Sequence, residues 1–185
     1  MMNKIRHISF AVFVAIFGIA IYMLFMSMPG KLPAEEQNTR TKQHSSKSVV
    51  HLYFSDRENL FLIAEERALF HSDNPAEFGK TIIEALMEGP RKGLVRTIPE
   101  ATTLRALFVT QNGIAYVDLS ETIRDAFPGG IKSELFAIFS IVNSLILNIP
   151  EIDSVKILVG GNEAMTLTGH VELRFPFKAN MLLIR

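Results

Sequence analysis

Apolar residues follow three patterns along this chain. From Ile8 to Met26 (ISFAVFVAIFGIAIYMLFM) they run without a single charge. At about 1.5 Å per residue a helix over this stretch spans roughly 28 Å, close to the hydrocarbon thickness of a bilayer. Residues 29–48 (PGKLPAEEQNTRTKQHSSKS) are polar and have no apolar period on which a core could form, so they read as a linker. From Val49 onward the apolar positions acquire the periods of packed secondary structure.

In VVHLYFS, Val50, Leu52 and Phe54 alternate with Val49, His51 and Tyr53, the period of two expected of a strand. Leu60 to Phe70 (LFLIAEERALF) holds a second strand, with a helix as the alternative. Asn74-Pro75-Ala76-Glu77 supplies an N-cap, a proline at the first helical position and an early acid, so a helix is expected to start there. Phe78, Ile82, Ala85 and Leu86 form its apolar stripe, and Gly89-Pro90 stops it. LRALFVT and IAYVDLS flank Asn112-Gly113, which reads as a tight type I′ hairpin turn. A second helix is expected over residues 132–147, with Leu135, Ile138, Phe139, Val142, Leu145 and Ile146 on one broad face. VKILV (Val155 to Val159) then reads as a buried strand, followed by a Gly160-Gly161-Asn162 turn. Strand, strand, helix, hairpin, helix, strand is an α+β order, and it predicts two helices packed on one face of a mixed sheet, preceded by one transmembrane helix.

Charge changes this picture only at the N-terminus. Lys+Arg and Asp+Glu both number 19, so no broad positive field exists to gather phosphate backbones, and nucleic acid is not an expected partner. Lys4 and Arg6 precede the apolar span, which by the positive-inside tendency leaves the N-terminus in the cytoplasm and carries the rest of the chain to the extracytoplasmic or periplasmic side. Ser27-Met28-Pro29-Gly30 is a poor signal-peptidase site, so the span reads as a retained single-pass anchor in the inner (cytoplasmic) membrane. The resulting layout is a cytoplasmic stub and transmembrane helix over 1–28, a flexible linker over 29–48, a folded domain over 49–177 and an apolar tail over 178–185.

Candidate chemistry is sparse. With no cysteine there is no thiolate nucleophile, disulfide or Cys-ligated metal. Ser120, Ser133, Ser140 and Ser144 stand outside any nucleophile-elbow pattern. His51, His71 and His170 lack the spacing of a helical metal motif, so no metal or cofactor is expected; His51 reads as a partly solvated strand position and His170 as the end of a turn. Asp118, Glu121, Asp125 and Asp153 are the acids available to a paired-carboxylate hydrolase. Asp118, at the end of a hairpin strand, reads instead as a turn cap. Glu65-Glu66-Arg67 reads as an exposed ion-pair run, with a recognition patch as the alternative, and the two glycines at 160 and 161 match no phosphate loop. No catalytic residue is assigned.

LIAEERAL, ALMEGP, the Ile98-Pro99 and Thr103 stretch, NGIAYVDLS, IVNSLILNIPEIDSVKILVGG and TGHVELRFPF follow one another in an order and spacing that resemble the GerMN domain, found in sporulation and germination proteins and widely in bacterial envelope proteins. The sequence departs from that pattern at Gly160-Gly161-Asn162, where Asp-Gly is usual, and at Ser144, where Thr is common. It carries one copy, whereas the founding protein is a tandem. The resemblance implies a layout similar to ring-building domains and a role in protein or peptidoglycan contacts, with no catalytic residues to carry over. The expected function is therefore a membrane-anchored binding or scaffold module, capable of self-association, whose partner is an envelope protein or peptidoglycan. The alternatives are an envelope hydrolase acting weakly on peptidoglycan and a domain that binds lipid or a small ligand.

Overall fold

A computed structural model of the protein describes residues 46–125, 127 and 129–185, together with Met23. The expected anchor and the linker up to residue 45 lie outside the described residues. Among those described, no helix is long and apolar enough to cross a membrane.

The domain opens with an antiparallel hairpin, β1 (Lys47–Ser55) and β2 (Leu62–Phe70), in which Val50 faces Arg67 and Leu52 faces Glu65. Helix α1 (Pro75–Met87) starts where the sequence predicts, because Asn74 Oδ1 accepts the amides of Ala76 (2.9 Å) and Glu77 (3.3 Å) that the first turn leaves free. Strands β3 (Leu104–Val109) and β4 (Ile114–Leu119) form the second hairpin, and a single turn, α2 (Thr122–Asp125), leads on toward α3 (Ile131–Ile146). Strand β5 (Ser154–Val159) lies parallel to β4, and the two-residue β6 (Asn162–Glu163) turns back on its end.

Two features differ from the sequence expectation. There are two sheets: β1 and β2 stand apart from the mixed sheet β3-β4-β5-β6. The reason lies at the free edge of β1, whose backbone is met by side chains of Ser144 in α3 and of Asn148 just past its end, where a neighbouring strand would otherwise pair. The N–H of His51 donates to Asn148 Oδ1 (2.9 Å), Asn148 Nδ2 donates to the His51 carbonyl (2.8 Å), and the Tyr53 N–H donates to Ser144 Oγ (3.1 Å). The turn after β3 is also not type I′. The Gly113 N–H donates to the Thr110 carbonyl and the Thr110 N–H to that of Ile114, with positive φ at Gly113 (76°) and not at Asn112. This is a three-residue loop closed by a left-handed glycine.

Helices α1 and α3 pack side by side, and each touches both the hairpin and the four-stranded sheet. The core gathers Leu52, Phe54, Ile82, Leu86, Val117, Phe136, Ile138, Ile141 and Ile157, all essentially inaccessible. Helix α3 is its centre, buried along nearly its whole length and not along one stripe. Phe139 and Val142 are buried as expected, while Leu135 and Ile146 are only partly covered. Its polar residues Ser140, Asn143 and Ser144 are wholly buried. They are tolerated because each finds a hydrogen-bond partner, as with Asn143, which accepts the Asn180 N–H (2.9 Å) and donates to the Asn180 carbonyl (3.2 Å).

Candidate functional site

Most of the polar residues that the sequence offers for chemistry are met here by a structural partner, Ser133, Asp125 and Asp153 being the exceptions among the described serines and acids. Asp118 Oδ1 accepts the Gly161 N–H (2.8 Å) and its Oδ2 the Arg105 Nε (3.0 Å), so it caps the turn after β5, as read from the sequence. Glu121 pairs with Arg124 (3.3 Å) one helical turn away. Ser120 Oγ accepts the Thr103 N–H (2.9 Å), Ser140 Oγ donates to the Ala137 carbonyl (2.9 Å), and Ser144 is committed to β1. Ser133 lines a small cavity beside Arg96 and Phe136, away from any histidine.

The Glu65-Glu66-Arg67 run corrects its sequence reading. Only Glu66 is exposed, 3.7 Å from His51. Glu65 and Arg67 have side chains 1% and 3% exposed and form an ion pair at 2.7 Å. Arg67 donates to the carbonyls of Ala85 (2.8 Å) and Gly89, and Glu65 Oε2 accepts the amides of Arg91 (2.8 Å) and Lys92 (2.9 Å). The strand period explains this: two residues apart, 65 and 67 share the face turned toward α1, while 66 takes the other. Burial alone would push the Glu65 carboxyl up, but hydrogen bonds from Arg67, Arg91 and Lys92 outweigh it and hold the group below the ordinary carboxylate value.

Glu134, not singled out by the sequence, is the most enclosed acid. Its Oε1 accepts the amides of Leu167 (2.8 Å) and Thr168 (3.1 Å), and its Oε2 the Thr168 hydroxyl (2.9 Å) and the His170 amide (2.9 Å). The His170 ring lies beside the same oxygen, Nδ1 at 3.1 Å. Burial raises the Glu134 carboxyl, yet these donors prevail and the net direction is down. An acid held ionised by four donors fastens a loop; it is poorly suited to give or take a proton near neutral pH.

Open surface remains at one end of the domain. A groove of about 450 Å³ lies between the β2–α1 turn and the α3–β5 connection, lined by His71, Asp73, Pro75, Phe78, Ile149 and Glu151 among others. A shallower one of about 700 Å³ shares Asp73, Pro75 and Glu151 and reaches Thr110 and Gln111 of the β3–β4 loop. The His71 ring meets Phe78 edge-on at 4.7 Å, its Nε2 lies 3.6 Å from Asp73, and its buried Nδ1 has no hydrogen-bond partner. Ser72, in the same groove, accepts the Asn74 N–H (3.2 Å). No three metal-ligating side chains converge among the described residues.

The sequence and the fold match a described family. The sequence profile of Germane, sporulation and spore germination, covers residues 51–164, more than half of the chain. This chain belongs to the Germane family. Its Germane (GerMN) domain is similar to the first GerMN domain of the sporulation protein GerM from Bacillus subtilis, with 20% identity over 72% of this chain and 98% of that one and a TM-score of 0.58. The tandem GerMN domains of the same protein align at 18% identity over 72% of this chain and 46% of theirs, TM-score 0.56. A protein from Clostridium perfringens described as a candidate lipoprotein aligns at 24% identity over 72% and 88%, TM-score 0.51. At these identities the likeness is one of fold. No curated protein matches the chain. The Germane match begins at His51, in β1, and ends at Ala164, just beyond β6, so the Glu134-bound loop at 167–170 lies past it.

Proposed function

We propose that this chain is a membrane-tethered, non-catalytic contact module of the cell envelope, with its Germane domain on the extracytoplasmic side. One observation carries this reading: Asp118, Glu134 and the buried Glu65–Arg67 pair each make hydrogen bonds with backbone amides or carbonyls of other segments and with one another or neighbouring side chains. They hold loops in place, as a contact domain needs. The uncharged span from Ile8 to Met26 with Lys4 and Arg6 before it supplies the tether and its orientation. The relatives' descriptions, one a sporulation protein and one a candidate lipoprotein, suit an envelope setting.

The topology is tested by fusing, after Arg185, a reporter active only outside the cytoplasm. The expected result is an active reporter. A silent one, with a cytoplasmic reporter active at the same position, would overturn the placement.

A further inference from the structure

The two edges of the β1–β2 hairpin are treated differently. That of β1 is closed by Asn148, by Ser144 and by Val95, which exchanges backbone hydrogen bonds with Ser55 (3.1 and 2.8 Å). On β2, the residues whose backbone faces away from β1 are Leu62, Ala64, Glu66, Ala68 and Phe70: the in-register partners of the first three are Ser55, Tyr53 and His51, which point toward Val95, Ser144 and Asn148, and Ala68 and Phe70 continue the same alternation. Leu62 is covered: its carbonyl accepts the Arg185 N–H (3.1 Å), and Ile184 bridges to it in parallel. Among the described residues no hydrogen bond reaches the backbone of Ala64, Glu66, Ala68 or Phe70, and all four are exposed. Open, extended edges of this kind are templates for a further strand.

We infer that this edge pairs antiparallel with the same edge of a second copy, in a register centred on Arg67. Three observations select that occupant and that register. Centred there, the four free positions pair completely among themselves, Ala64 with Phe70 and Glu66 with Ala68 of the other copy, giving about eight backbone hydrogen bonds. The tail at Leu62 lies just beyond the paired segment, so it limits the register without obstructing it. The side chains are also complementary on the outward face. Phe70, 57% exposed, faces the small Ala64, and Glu66 faces Ala68, whereas a register centred on Glu66 would oppose two carboxylates. Arg67 falls on the twofold axis, but its guanidinium is turned inward to Glu65, Ala85 and Gly89 of its own chain, so two unpaired cations do not meet. The dimer carries β1-β2-β2-β1 as one four-stranded sheet. This inference rests on edge geometry and holds whether or not the domain stands in the envelope.

The test uses the full chain in detergent micelles. Because the protein has no cysteine, the pair Glu66→Cys and Ala68→Cys introduces the only thiols. Mild oxidation should give a disulfide-linked dimer joined between positions 66 and 68 of different copies, identified by peptide mass spectrometry. Separately, sedimentation should find the unsubstituted chain dimeric. Ala68→Pro, which deletes one free edge donor, should weaken dimerisation about tenfold or more. Ala64→Trp, which overfills the space opposite Phe70, should do the same, so a folding failure of the proline variant does not shield the inference. A monomer at about 100 µM would overturn it, as would a dimer unchanged in both variants or a disulfide joined at a different register.

Discussion

The carboxylate of Glu134, in the first turn of α3, accepts the backbone N–H of His170 at 2.9 Å and thereby ties the start of the central helix to a loop 36 residues further on. Together with the Leu167 and Thr168 amides, this bond makes one acid the fastening point for the segment that follows β6. That segment then runs on to Phe177, which pairs with Val155 at the edge of β5 and sets its ring against Phe139. A single buried charge therefore organises the region where the Germane match stops.

Removing that charge has a predictable cost. Glu134→Ala leaves several buried donors without an acceptor and should destabilise the domain by roughly 3 kcal/mol or more, measured by chemical denaturation. Glu134→Gln keeps an acceptor and should cost less.

The same acid predicts a pH dependence. Glu134 and Glu65 both titrate below the ordinary glutamate value in the folded chain, so their stabilisation is present above the unfolded pKa of about 4.3 and is lost as pH falls through the lower folded values. Stability should be level between about pH 5 and 6 and decline steeply below about pH 4. Glu134→Gln should flatten that decline; an equally steep acid transition in the variant would remove Glu134 as its cause.

The Glu65–Arg67 pair should behave as a unit. Arg67→Met leaves the Glu65 carboxylate buried without its cation and should cost about 3 to 5 kcal/mol. Adding Glu65→Leu should cost far less than a second independent loss, so a double-mutant cycle should show strong non-additivity. Additive costs would mean that the two side chains are not coupled.

At the β3–β4 loop, Gly113 has φ of 76°, and an added Cβ would lie 2.6 Å from the Asp153 carboxylate. The carboxylate can swing aside, so backbone strain is the lasting term. Gly113→Val should cost about 1 to 3 kcal/mol, and Gly113→Asn less, since Asn tolerates this conformation. Equal melting temperatures for Gly113→Val and the unsubstituted chain would contradict the left-handed turn.

Much of this fold was legible because its signals are local. Asn74-Pro75 starts α1 through bonds within one turn, the alternation around Val50 and Leu52 marks β1, and Asn112-Gly113 marks a turn even though its type differs. The illegible parts depend on distant partners. A charged run such as Glu65-Glu66-Arg67 reads as solvated unless the carbonyls of Ala85 and Gly89 are known to lie beneath it. Glu134 reads as an ordinary first-turn acid until residues 167–170 close over it. Nothing local marks Asn148 or Ser144 as strand partners, yet they stand in for a neighbouring strand at the edge of β1 across more than ninety residues of sequence, separations of 97 and 91. The signal available was the presence of small polar residues inside an otherwise apolar helix, which is costly unless each has a partner.

In-cell crosslinking of the anchored full chain, followed by identification of the attached chains, addresses the contact role directly. Discrete adducts with an envelope protein or with a second copy are expected, and they should persist in Asp118→Asn and His170→Ala, since the proposed contact role asks neither residue to transfer a proton. An absence of adducts, together with release of peptidoglycan fragments by the purified full chain that Asp118→Asn abolishes without unfolding it, would contradict the contact role and establish an enzyme in its place.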